Sequence, residues 1–246
     1  MDCFECDVIV DRGPEVEKED LMSRKLVWSI NADWSADVAS LMSLFKREAF
    51  VGERCPECGG GQKQSYLFVE WREGSDRISN FVPCSPGPVV QKRVAHRLND
   101  TFPESEEREV RMHDHPNLYV PKNTKSRKKR VWLPYHGPEL VWLVPTLDVP
   151  LHPKSTVEIE SACETCRRLV YAEINGISRV QGGSIIPRDK EKGLFFQEED
   201  LNGRNIFRPK DTGFYCCTDE VKAEIESIGS EGCLFLEVGE VVPSSN

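Results

Sequence analysis

The feature that most restricts how this chain can fold is a pair of C-x-x-C turns lying far apart, Cys55-Pro56-Glu57-Cys58 and Cys163-Glu164-Thr165-Cys166. Two thiolates separated by two residues can bind one zinc ion from a single tight turn, and two such turns complete a closed four-thiolate site of the structural type. Gly59 directly after the first pair lets the backbone curl so that amides face the sulfurs. A compact zinc ribbon places about 15 to 20 residues between its pairs. Here residues 59–162 intervene, so the middle of the chain must be an insertion between two zinc knuckles. Closing so long a loop is physically allowed, because its entropic cost grows only as the logarithm of its length. The expected metal ligands are therefore Cys55, Cys58, Cys163 and Cys166, with structural Zn2+ as the cofactor.

The other cysteines read differently. Cys3 and Cys6 fall in Cys3-Phe4-Glu5-Cys6-Asp7-Val8-Ile9-Val10, which reads as a first strand, and a strand points such thiols to opposite faces. They fit a core strand, and remain the alternative ligand pair should one knuckle be irregular. Cys84, Cys216, Cys217 and Cys233 read as small buried apolar residues. Dithiol redox chemistry at Cys55 and Cys58 would need a strand-to-helix junction to depress a thiol pKa, and Gly59-Gly60-Gly61 disfavours a helix there.

The N-terminus, Met1-Asp2-Cys3-Phe4-Glu5, is acidic where a secretory signal would be positive, and no apolar region follows. No apolar run approaches the roughly 18 to 20 residues of a bilayer crossing. A cytoplasmic protein is expected, in which reduced thiols favour metal binding over disulfides. With 39% hydrophobic and 30% charged residues the chain has the composition of an ordinary globular protein.

A net charge of −9 argues against whole-protein attraction to nucleic acid or anionic lipid. The charge is uneven: residues 91–150 carry +3 and the stretches on either side −6 each. The excess comes from Lys122, Lys125, Arg127, Lys128, Lys129 and Arg130, which read as a charged loop tip because no aromatic residues interleave them. As the alternative function, that run would be the phosphate-contacting arm of a zinc-ribbon nucleic-acid-binding protein. His113-Asp114-His115 before Pro116 reads as a surface loop rather than a metal site. There is no P-loop, G-x-S-x-G elbow or H-E-x-x-H, so no enzymatic activity is expected.

Along the chain, Ser35 reads as an N-cap, and Val38, Leu41, Met42, Phe45 and Ala49 recur at helical spacing up to Gly52. Ser65 to Trp71 is rich in β-formers, whereas 73–90 reads as loop and 100–130 as a long polar connection. The stretches 131–133 and 140–144 read as a hairpin around Tyr135-His136-Gly137-Pro138. The stretch 168–174 reads as a strand turning at Asn175-Gly176, with 177–180 as a candidate return. Thr218 caps an expected helix with Val221, Ile225 and Ile228 on its buried face and Gly229 at its end. Cys233 to Val238 gives a final strand. Mixed short strands with few helices indicate an α+β protein. Two regions are expected, 1–150 with the first knuckle and the basic loop, and 151–246 with the second knuckle and a closing helix-strand unit, unless they form one domain.

The two cysteine pairs about one hundred residues apart resemble the double-CXXCG-motif family of bacterial immunity proteins from polymorphic toxin systems. Cys55-Pro56-Glu57-Cys58-Gly59 fits the first motif in full. Leu151-His152-Pro153 resembles the leucine-histidine-proline element before the second motif, and Asn205-Ile206-Phe207-Arg208 the phenylalanine-arginine element after it. The helix at 218–229 and strand at 232–238 are similar to the closing unit. The likeness covers about 151–246 and an island near 55. One departure is Arg167, where the second motif calls for glycine. Arginine tolerates left-handed backbone poorly, at about 1 kcal/mol, which predicts a distorted second knuckle. The resemblance implies a protein that binds and neutralises a cognate toxin, and the acidic charge would suit a basic, nuclease-type partner.

Overall fold

The computed structural model describes residues 24–72, 74–113, 131 and 133–244. The candidate strand at 3–10 with Cys3 and Cys6, the run Lys122 to Arg130, and Asp114 and His115 lie outside the described residues. The chain first forms β1 (Leu26–Ala32), β2 (Leu41–Ser43), a 3-10 turn (Arg47–Ala49), β3 (Phe50–Val51), β4 (Lys63–Gln64) and β5 (Tyr66–Trp71). There follow β6 (Phe81–Val82), β7 (Val89–Gln91), α1 (Lys92–Thr101), β8 (Ser105–Met112), β9 (Leu140–Pro145) and β10 (Asp148–Val149). Next are β11 (Val157–Ala162), β12 (Leu169–Ile174), β13 (Arg179–Gln181), β14 (Ser184–Ile186) and β15 (Leu194–Gln197). The last elements are α2 (Glu198–Leu201), β16 (Ile206–Pro209), β17 (Cys216–Thr218), α3 (Asp219–Ile228) and β18 (Cys233–Val242). This is a mixed α+β architecture with few helices, as expected.

Two six-stranded sheets carry the fold. One runs β10-β16-β17-β1-β18-β15 and the other β2-β5-β8-β9-β7-β6, while β3–β4, β11–β12 and β13–β14 are separate two-stranded hairpins. The sheets share a core. Phe81, Val90, Val141 and Leu143 from one pack with Ile206 and Cys217 from the other, around Leu98 of α1 and Val221 and Ile225 of α3. Strand β9 is apolar throughout because both of its faces are buried: Val141 and Leu143 enter this shared core, while Leu140, Trp142 and Val144 enter the core on the opposite face.

Several expectations fail for identifiable reasons. The stretch 35–52 is not a helix. Leu41 and Ser43 pair with Trp71 and Val69 at a sheet edge, leaving Met42 and Phe45 exposed, and Ser35 donates its amide and hydroxyl to Asp33 Oδ1 in a turn. The polar connection expected at 100–130 begins instead with β8, a central strand parallel to β5 and antiparallel to β9. Its charges are accommodated by pairing along the strand, Arg108 with Glu106 and Arg111 with Glu109, and by guanidiniums lying over the Trp142 and Tyr66 rings. The loop expected at 73–90 contains β6 and the start of β7. Strand β9 pairs with β7 and β8 rather than with Val131 or Leu133, and β12 pairs with the preceding β11 rather than with 177–180. Helix α3 begins after Thr218 and stops at Gly229 as expected, but the Thr218 hydroxyl donates to Asn205 Oδ1 instead of capping. Cys84, Cys216 and Cys217 are buried and Cys233 is partly so; burial pushes the Cys84 and Cys233 thiols up to about 12.

A buried acid ties the two sheets together. Glu104, between α1 and β8, accepts hydrogen bonds from the Asn205 and Ile206 amides at 3.1 and 3.0 Å, while its carbonyl accepts the Thr146 amide and hydroxyl. Replacing it by alanine strands two amides at the inter-sheet boundary. Glu104→Ala is expected to destabilise the fold by about 2–3 kcal/mol, read as a lowered urea midpoint at unchanged slope.

Candidate metal centre

The first C-x-x-C turn lies between β3 and β4, whose register pairs Phe50 with Gln64 and Val51 with Lys63. The second is the tip of the β11–β12 hairpin, just beyond the pair Ala162 and Leu169. The two tips meet. The four sulfurs of Cys55, Cys58, Cys163 and Cys166 lie within 4.8 Å of one another, with Cys55 to Cys163 at 3.6 Å and Cys58 to Cys166 at 3.5 Å. Sulfurs bound tetrahedrally to one zinc by ~2.3 Å bonds would be about 3.8 Å apart. The donor set and its spacing thus suit a metal ion, and Cys55 and Cys163 sit inward while Cys58 and Cys166 face solvent.

The turns are built alike. In the first, the Gly59 amide donates to the Cys55 carbonyl at 2.9 Å and the Cys55 amide to the Gly60 carbonyl at 2.7 Å. In the second, the Arg167 amide donates to the Cys163 carbonyl and the Cys163 amide to the Arg168 carbonyl, both at 2.9 Å. Gly59 has φ +71° and Arg167 φ +61°, so the arginine adopts the left-handed conformation that glycine supplies freely. The distortion expected of the second knuckle is absent; the strain is carried by Arg167 itself. Backbone amides also point at sulfur, Gly60 to Cys58 and Cys166 to Cys163.

Among known proteins, no family model and no curated sequence matches the chain.

One residue that sequence reasoning passed over joins the turns directly. Glu57, inside the first motif, reaches across to the second: its Oε1 accepts the Glu164 amide at 3.2 Å, and its Oε2 accepts the Thr165 amide at 3.0 Å and the Thr165 hydroxyl at 2.7 Å. The Thr165 hydroxyl and these amides hold the Glu57 carboxyl down at about 2. Its position between two cysteines was the only available signal, and a C-x-x-C spacing says nothing about the intervening side chains. The thiols perturb one another as well. The Cys58 and Glu57 amides lower Cys55 to about 7. Against the lowering effect of the Cys166 amide, burial and the neighbouring thiols push Cys163 up to about 12. Four sulfurs in contact cannot all ionise unless a cation offsets their charge.

Among the described residues no other candidate joins this cluster. His113 follows β8 with its ring edge-on to Phe68 at 5.3 Å. No helix among the described residues is long and apolar enough to cross a membrane.

Two outcomes follow. Arg167→Gly removes the left-handed penalty and is expected to stabilise the protein by about 1 kcal/mol, read as a higher thermal midpoint at equal metal content. Glu57→Gln keeps the shape but loses the charge that two amides and a hydroxyl address. It is expected to weaken metal binding by about tenfold or more, measured by competition with a chromogenic chelator.

Proposed function

We propose that the protein is an immunity protein that binds and neutralises a cognate toxin, with the four cysteines holding a structural zinc ion. The observation that carries this reading is the meeting of the two C-x-x-C turns, since these motifs also bear the family resemblance. Thiolate sulfur in a tetrahedral arrangement selects zinc among the abundant divalent ions. All four ligands come from the protein and none is left open for a substrate, so the ion would act by fastening rather than by chemistry. The net charge of −9 supports a basic partner, which an acidic surface draws in by long-range attraction. Occluding the active site or substrate groove of a nuclease-type toxin would then neutralise it.

Native mass spectrometry of the protein purified from its own host tests both halves together. The expected spectrum shows one zinc per chain, lost on denaturation, and a co-purifying toxin-sized protein whose association weakens with salt. Metal-free protein without a partner overturns the proposal. An acidic partner bound equally well at low and high salt overturns the electrostatic part of it.

A further inference from the structure

Beside the second knuckle the molecule carries an open groove of about 1100 Å³. Its floor is the face of the first sheet at Leu234 and Leu236, with Ile30 and Tyr215 also lining it. One wall is β12, with Leu169 and Val170 and Arg168 just before them, and the other is the β13–β14 hairpin, with Arg179, Val180 and Ile185. Apolar side chains stand exposed along it: Trp34 is 50% exposed, Val170 42%, Val180 52% and Ile185 53%. Folding alone gives no reason for four large apolar side chains to remain in water around one concavity.

The charges of the groove are unevenly satisfied. Its two carboxylates are engaged by backbone donors, Asp33 by the Ser35 amide at 2.9 Å and Asp211 by the Leu169 amide at 3.2 Å. Arg179 has no ion-pair partner among the described residues, whereas the Arg168 guanidinium lies against Gly60 of the first cysteine turn. The walls are also unfinished as sheets. The β11–β12 and β13–β14 hairpins have two strands each, and among the described residues no third strand pairs with either. An exposed strand edge offers backbone groups to an incoming extended chain, and alternate side chains of that chain then face the surface.

From these three observations together we infer that the groove receives an extended segment of a partner protein, in which apolar residues alternate with acidic ones. The apolar residues cover Val170, Val180 and Ile185, the carboxylates meet Arg179, and the backbone adds to a hairpin edge. The inference rests on the proposed immunity function only for the identity of the partner, which would then be a locally acidic stretch of the otherwise basic toxin; the chemistry of the groove is independent of it. A second copy of the chain is the competing occupant, because β11 itself reads Val157-Glu158-Ile159-Glu160 and is exposed.

The test uses the full-length, metal-loaded protein and a fluorescein-labelled peptide, Val-Glu-Val-Glu-Val-Glu-Val, followed by fluorescence polarisation, with the lysine-for-glutamate peptide as control. Saturable binding of the acidic peptide is expected, with the basic peptide at least about fivefold weaker and the preference shrinking as salt is raised. Arg179→Glu and Ile185→Ser lie on the exposed hairpin away from the cysteines, and each is expected to weaken binding by about fivefold or more at unchanged metal content and circular dichroism. Equal binding of both peptides, or variants that bind like the parent, overturns the inference. So does a concentration-dependent dimer in sedimentation that Ile185→Ser abolishes, since that places a second copy in the groove. Peptide binding in a protein that takes no toxin upholds the groove and rejects the immunity reading. Toxin binding unaffected by Arg179→Glu and Ile185→Ser does the reverse.

Discussion

Four sulfurs within 4.8 Å, drawn from turns 108 residues apart, are the contact around which the peripheral parts of this protein are arranged. Each turn sits at the tip of a hairpin too short to be stable alone. The β3–β4 hairpin has two residue pairs, and β11–β12 pairs with neither large sheet among the described residues. Neither tip is enclosed by an apolar core, so the cysteines, together with the Glu57 bridge, take the place of packing. A cation at the centre would let all four thiols ionise, converting mutual repulsion into a shared attraction. Without one, the unequal positions of Cys55 and Cys163, one lowered to about 7 and the other raised to about 12, are the compromise that close thiols reach.

The long insertion between the knuckles is accommodated because it makes a core of its own and then shares it. Strand β9 buries both faces, helices α1 and α3 pack into the core between the sheets, and Glu104 closes the polar gap at their boundary. The chain can therefore leave the first knuckle, build most of one sheet, and return to the second knuckle with little dependence on how many residues lie between. Placement of the second hairpin against the face of the first sheet also creates the groove.

What could be read in the sequence follows from how local each signal is. The cysteine spacing, the Thr218–Gly229 helix and strands β5 and β18 announce themselves within a few residues, through turn chemistry, caps and runs of β-formers. The stretch 38–49 carries a helical spacing of apolar residues, yet edge pairing of Leu41 with Trp71 outweighs it, and only a partner strand distant in sequence decides that. Strand β8 was illegible because Ser-Glu-Glu-Arg-Glu-Val-Arg-Met lacks an apolar face; its charges are neutralised by neighbours two residues away and by aromatic rings on other strands. The apolar spacing of Val94, Ala95 and Leu98 is the local signal for α1. At the metal centre the ligands were legible and Glu57 was not, since its role depends on which turn it faces.

Arg168 links the two functional regions. It is the residue whose carbonyl closes the second cysteine turn, its side chain lies where a Cβ on Gly60 of the first turn would fall, and it lines the groove. Leu169 follows it as the first residue of the groove wall, its amide held by Asp211. Any change that separates the knuckles must therefore move the end of β12, and with it one side of the groove. A glycine at 167 would relax the backbone; the arginine is tolerated there because the Cys163 and Arg168 backbone bonds and the Glu57 bridge together hold the turn in left-handed geometry.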